Sequence, residues 1–172
     1  MELKGKKVAI LLENQFEDLE VLYPYHRLRE AGAEVKLLGK SKGASASGKK
    51  GHESQADEAV GDAKPADFDG LVIPGGFSPD HMRRTPAFTE FVKAMIAAGK
   101  PVAAICHGPW MLCSARALKG KKATSFYSIR DDMENAGAEW VDQEVVVDGN
   151  LITSRNPNDL PAFCRELIRA LD

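Results

Sequence analysis

The sequence predicts an α/β fold, with a mostly parallel central sheet and helices on both faces. Three observations carry this. Short apolar runs at 7–12, 70–73 and 101–105 suit strands buried on both sides. Helical patterns lie between the runs. Two of the runs stop abruptly in turn-forming residues, Pro74-Gly75-Gly76 and Cys106-His107-Gly108-Pro109.

The elements follow in order. Lys7 to Leu12 forms the first strand. Glu17 to Ala31 reads as a helix, with Leu19, Leu22, Tyr23 and Leu28 near one face and Gly32 where a helix ends. Pro24 conflicts with its middle and predicts a bend. Glu34 to Leu38 is the second strand. Residues 39–52 are rich in Gly, Ser and Lys and predict a surface hairpin or loop. Gly70 to Ile73 is the third strand. Pro86 to Ala98 is a helix, with proline at its start and Gly99 after its end. Pro101 to Ile105 is the fourth strand, followed by a helix from about Pro109 to Leu118. Val145 to Asp148 and Leu151 to Ser154 flank Gly149-Asn150 as a hairpin. A last helix is capped by Asn158 or Asp159 and carries Leu160, Phe163, Leu167, Ile168 and Leu171 on its apolar side.

Composition narrows the class. The 172 residues fit one domain, 1–172, and a net charge of -2 gives no broad attraction to nucleic acid or an anionic membrane. No apolar run reaches the ~20 residues of a membrane helix. The N-terminal run ends in acidic residues without a small-residue cleavage site, so it reads as a strand rather than a signal peptide. Cys106, Cys113 and Cys164 are an odd, sparse set that argues against a disulfide framework, and no CxxC pair marks a zinc site. No metal or cofactor is expected, and a reducing, cytoplasmic setting is.

The chemistry gathers at Cys106, whose plain alternative is a cysteine that simply packs in the core. Ligands of open α/β sheets bind beyond the carboxyl ends of the strands. Cys106 follows a strand directly, a glycine comes two residues later, and a helix begins at once. This is the outline of a nucleophile elbow, although the glycine expected two residues before the nucleophile is Ala104. A helix N-terminus predicts a lowered thiol pKa. Amides of His107 and of the Gly75-Gly76 turn are placed to meet a developing oxyanion. Cys113 and Cys164 fall in helical patterns and read as core residues. His107 is either a base for the thiol or a surface residue. Any of Glu13, Glu17, Asp18 and Glu20 can reach the site from the end of the first strand; the plain alternative is an acidic helix start.

Several motifs together give a resemblance. They are Phe16-Glu17-Asp18 with Tyr23-Pro24-Tyr25-His26-Arg27, Ile73-Pro74-Gly75-Gly76, Ala104-Ile105-Cys106-His107-Gly108-Pro109, and Asp131-Asp132-Met133 with Asn135-Ala136-Gly137-Ala138-Glu139. Glu144-Val145-Val146-Val147-Asp148 and Thr153-Ser154-Arg155 with Asp159-Leu160-Pro161 complete the set. The chain resembles the PfpI-type intracellular proteases and protein deglycases of the DJ superfamily. The resemblance implies a flavodoxin-like three-layer sandwich. It implies that Cys106 is the nucleophile, His107 its base, and Glu17 the carboxyl group against the sulfur. It also implies that the Gly75-Gly76 turn and the His107 amide form the oxyanion hole. Members of this type carry a glutamate that reaches the histidine of a neighbouring subunit; the matching residue is Asp80, one methylene shorter. A tyrosine near the cysteine in archaeal members is matched by Phe126, with Tyr127 next to it.

Three functions follow from the resemblance. The first is a cysteine hydrolase acting as a deglycase or glyoxalase on methylglyoxal or its adducts, in stress protection. The second is an intracellular cysteine peptidase, and the third a non-enzymatic redox sensor or stress chaperone. The expected partners are a small carbonyl or peptide substrate and further copies of the chain, as a dimer or hexamer with Asp80 acting in trans.

Overall fold

The computed structural model describes residues 2–172. In chain order the elements are β1 (Lys7–Leu11), α1 (Asp18–Glu30), β2 (Glu34–Gly39), β3 (Ser45–Ser47), β4 (Glu53–Gln55), β5 (Glu58–Ala59), β6 (Gly70–Ile73), α2 (Ser78–Arg83), α3 (Pro86–Ala97) and β7 (Val102–Ile105). They continue as α4 (Trp110–Ser114), β8 (Lys122–Ala123), α5 (Arg130–Asn135), β9 (Glu139–Trp140), β10 (Val145–Asp148), β11 (Leu151–Ser154) and α6 (Leu160–Leu171).

Seven strands form the central sheet, in the order β10-β11-β7-β6-β1-β2-β5. All neighbours are parallel except the β10–β11 hairpin at one edge. Alternation along β1 separates two cores. Val8 and Ile10 face one side with Val21 and Leu28 of α1 and Phe163 and Leu167 of α6. Ala9 and Leu11 face the other with Phe88, Val92 and Met95 of α3 and Leu112 of α4. Strands buried on both faces therefore read as continuous apolar runs, as the sequence predicts.

Pro24 does not interrupt α1, which runs unbroken from Asp18 to Glu30 with the ring buried. The helix after Cys106 is shorter than predicted, five residues rather than ten. Arg116 adopts a left-handed φ of 56°, and the Ala117 N–H closes the end on the Leu112 carbonyl at 3.0 Å. The glycine-rich stretch is a hairpin, β3 and β4, and it folds back over the start of α1. Asp18 fastens it there by accepting the Lys50 and His52 amides at 2.9 and 3.0 Å.

Candidate active site

Cys106 leaves β7 at φ 63°, a left-handed conformation that a side-chain-bearing residue enters at a cost of about 1 kcal/mol or more. Two backbone bonds hold it there. Its N–H donates to the Ser154 carbonyl at 3.0 Å, and its carbonyl accepts from Phe126 at 2.9 Å. The turn is possible because Gly108 has no side chain: a Cβ there would stand 2.4 Å from the Ile73 carbonyl and 2.8 Å from that of Ile105. The elbow outlined by the sequence is therefore formed, with its tightest demand after the cysteine.

Glu20, not Glu17, stands against the sulfur. Glu20 lies in the first turn of α1, fully buried, and its Oε2 accepts the Gly75 N–H at 2.7 Å. Oε1 is buried with no other protein partner and is free for the thiol. Glu17 precedes the helix in extended backbone. Its carboxylate turns to the lysines of the hairpin, 3.4 Å from Lys49 Nζ and 3.3 Å from Lys50 Nζ. Residues three apart share one side of a helix, so sequence spacing could not choose between them. Both line the same cavity of about 370 Å³, with Lys49, Gly76, Cys106, His107 and Phe126 among its walls.

The Gly75-Gly76 turn divides its work. The Gly75 amide is taken by Glu20 and is not open to an oxyanion, as the sequence expectation had it. The amides of Gly76 and His107 point at the Cys106 sulfur and favour its charged form. Gly75 serves close approach instead: a Cβ would lie 2.7 Å from both Cys106 Cβ and Glu20 Oε2.

His107 Nδ1 is 3.3 Å from Cys106 Sγ, and Nε2 is 3.3 Å from Ser128 Oγ. Its ring stacks on Phe126, with centroids 5.2 Å apart. Burial, and then the charge of Lys49, hold the imidazole pKa below its ordinary value, so the ring is neutral at neutral pH and can accept a proton. Asp80 lies in the first turn of α2, pairs with Arg84 one turn on in the same chain, and is not among the residues lining the sulfur cavity.

Burial opposes the lowering of the thiol pKa that the sequence predicts. Burial, and then the charge of an ionised Glu20, push Cys106 up to about 12. Glu20 is itself raised to about 8, chiefly by burial. At neutral pH Glu20 therefore keeps its proton, which removes the repulsion and leaves a carboxyl group placed to share a hydrogen bond with the sulfur. Acid and thiol work as one unit that shares its protons. The other two cysteines lack such partners, and burial raises Cys113 to about 11 and Cys164 to about 12.

Comparison with known proteins fits this elbow. The model of the DJ-1/PfpI family matches residues 6–170. The chain belongs to the DJ-1/PfpI family. It is 49% identical over 165 residues to Deglycase PfpI of Pyrococcus furiosus, covering 96% of this chain and 99% of that one. It is 50% identical over 170 residues to General stress protein 18 of Bacillus subtilis, covering 98% and 99%. Among solved structures it superposes on a two-domain protein of Anabaena variabilis, with DJ-1/ThiJ/PfpI-like and ferritin-like domains, at a TM-score of 0.96 and 47% identity. That match covers 97% of this chain and 48% of the other, so this chain spans about half of that protein. The three-layer flavodoxin-like sandwich implied by the motifs is thus present.

Lys49 is the site residue that sequence reasoning missed. It sits in a stretch legible only as a polar loop, and no local pattern says that Asp18 folds this loop onto the pocket.

Proposed function

We propose that the protein is a cysteine-dependent deglycase that releases amines from adducts of α-oxoaldehydes such as methylglyoxal and turns over the free aldehyde by the same route. The observation that carries this is Cys106 on a left-handed elbow, with the buried acid Glu20 behind it and the neutral His107 ring 3.3 Å from its sulfur. A relative of matching length at 49% identity bears the name deglycase, and another at 50% is named a general stress protein, which supports a protective role. A peptidase draws less support from these relatives.

The chemistry closes without a cofactor. Sγ bonds to the carbon that bears the nitrogen, the C–N bond breaks, and the amine leaves with a proton relayed by His107. The resulting hemithioacetal passes its carbon-bound proton to the neighbouring carbonyl carbon and becomes a thioester. Water cleaves the thioester to an α-hydroxy acid and restores the thiol. The Gly76 and His107 amides, aimed at the sulfur, are the donors this proposal assigns to the oxygen that gains charge.

Assembly belongs to the same proposal. Leu19 and Tyr23 stand exposed along α1, at 47% and 38%, which supports a homo-oligomer, dimeric or hexameric. Asp80, one-third exposed, would turn from Arg84 to the histidine of a neighbouring copy. A cytoplasmic location is proposed with it; no helix among the described residues is long and apolar enough to cross a membrane.

Cys106→Ser tests the proposal. Consumption of methylglyoxal and formation of lactate should vanish while the circular dichroism spectrum is unchanged. Undiminished turnover in that variant would overturn it. Casein digestion lost in the same variant would favour the peptidase, and slow turnover with peroxide oxidation confined to Cys106 would favour a redox sensor. Full activity at dilutions where light scattering reports monomer would overturn the shared site.

A further inference from the structure

A second cavity, also of about 370 Å³, adjoins the one over the sulfur, and the two share Phe126 and Asn156 as walls. A molecule held at Cys106 would reach it by passing these two residues. Rings line the passage. His107 stacks on Phe126, and Phe126 lies against Tyr127 with centroids 4.7 Å apart. Tyr127 is 73% exposed, far more than an aromatic ring with a packing role. Trp140 forms a further wall, its N–H already donated to Ser125 Oγ at 3.0 Å.

The far end is acidic. Asp142 is 68% exposed and accepts from Arg155 Nη1 at 2.8 Å through Oδ1, leaving Oδ2 open. Arg155 is spent: its Nε and Nη2 donate to Asp159 at 2.9 and 3.0 Å. Two carboxylates against one guanidinium leave this end one negative charge in excess. Arg130, over the Trp140 ring, is matched by Glu134. An anion is disfavoured here. An alkyl stem ending in a positive charge fits, because stems pack on aromatic faces and cations are drawn to them.

We infer that this second cavity takes the amine half of the adduct and favours an amine half that carries a further positive charge, such as an arginine next to the glycated lysine. The inference rests on the deglycase proposal and names the substrate class for that site. The reacting carbon lies at Sγ, the stem runs along Phe126 and Tyr127, and the charge meets Asp142.

The test compares methylglyoxal adducts of acetyl-lysyl-arginine amide and acetyl-lysyl-glutamate amide. The wild-type kcat/KM should favour the arginine peptide by about fivefold, the reach of an exposed ion pair with a cation–π contact. Asp142→Asn and Tyr127→Ala should each bring the ratio toward one, and Asp142→Glu should keep it. A wild-type ratio near one overturns the inference. So does a ratio that survives Asp142→Asn, including one where both peptides lose rate equally. If no adduct is turned over at all, the deglycase proposal fails, and calorimetry with unmodified acetyl-lysyl-arginine amide still decides on the cavity: binding lost in Asp142→Asn supports it, and absent or unaltered binding overturns it.

Discussion

Glu20 Oε2 accepts the Gly75 N–H at 2.7 Å, and this one bond sets where the buried acid stands relative to the sulfur. It ties the first turn of α1 to the turn after β6, so two strand ends and a helix start share one fixed point. An amide donated to a carboxyl group normally lowers its pKa. Here burial wins, because the group is wholly enclosed and Glu17 adds a like charge nearby.

A pH dependence of stability follows. Glu20 is raised from the ordinary carboxylate range to about 8, so the folded state holds its proton more tightly than the unfolded chain. Its contribution is complete below about pH 4.5 and is lost as pH rises through about 8. The loss amounts to a few kcal/mol. His107, with a lowered pKa, acts in the opposite sense and adds stability as pH rises toward its ordinary value. Comparing the wild type with Glu20→Gln removes the histidine contribution. The wild-type Tm should fall more steeply between pH 5 and 8 than that of the variant; parallel curves would show that Glu20 is ionised throughout.

Lys49 is expected to tune His107. Its charge is the second cause, after burial, of the lowered imidazole pKa. Lys49→Met should raise that pKa, visible as a shifted midpoint of the His107 ring resonances in an NMR titration. Lys50→Met is the control, since Lys50 pairs with the same Glu17 but does not figure among the causes at His107. Equal shifts in both variants would assign the effect to Glu17 rather than to Lys49.

Much of this was legible in the sequence, for a physical reason. Strands buried on both faces are apolar throughout, so β1, β6 and β7 announce themselves, and the residues after β6 and β7 mark the site. Elements of two or three residues, such as β5 and β8, are too short to carry a period, and their pairing is decided by distant partners. At the site, Cys106, His107 and Gly76 sit on the backbone turns that place them. Glu20 and Lys49 do not: one was indistinguishable from Glu17 by helical spacing, and the other arrives through a hairpin anchored by Asp18.

Gly75→Ala should be harmful although its backbone has no unusual φ. The added Cβ would meet Cys106 Cβ and Glu20 Oε2 at 2.7 Å and the His107 amide at 2.9 Å. All three are fixed by the elbow, so none can yield without moving the reactive centre. A loss of about 1–3 kcal/mol in urea unfolding is expected. Turnover should drop more than tenfold even where the protein remains folded. A folded Gly75→Ala variant with wild-type kcat would mean that the Glu20–Cys106 contact tolerates displacement.

Asp159 offers a test of how rigid the rim of the site must be. It is nearly fully buried and accepts three bonds from one residue: Arg155 N at 3.0 Å, Nε at 2.9 Å and Nη2 at 3.0 Å. The guanidinium fork engages both carboxylate oxygens, and the main-chain bond pins the segment that carries Asn156 and Pro157, two walls of the sulfur cavity. Asp159→Asn keeps the volume and removes the charge. Arg155 would then hold only the exposed Asp142, and its charge would be left partly unpaired beside the cavity. Breaking one side of such a pair costs about 2–4 kcal/mol when it is well shielded and under 1 kcal/mol when it is not. The larger figure is expected here, because Asp159 is buried even though Arg155 is 30% exposed. KM should rise with it as the rim loosens, while kcat changes little, since neither residue touches the sulfur. A loss below about 0.5 kcal/mol with KM unchanged would show that the pair behaves as an ordinary surface ion pair and that the rim is held by packing alone.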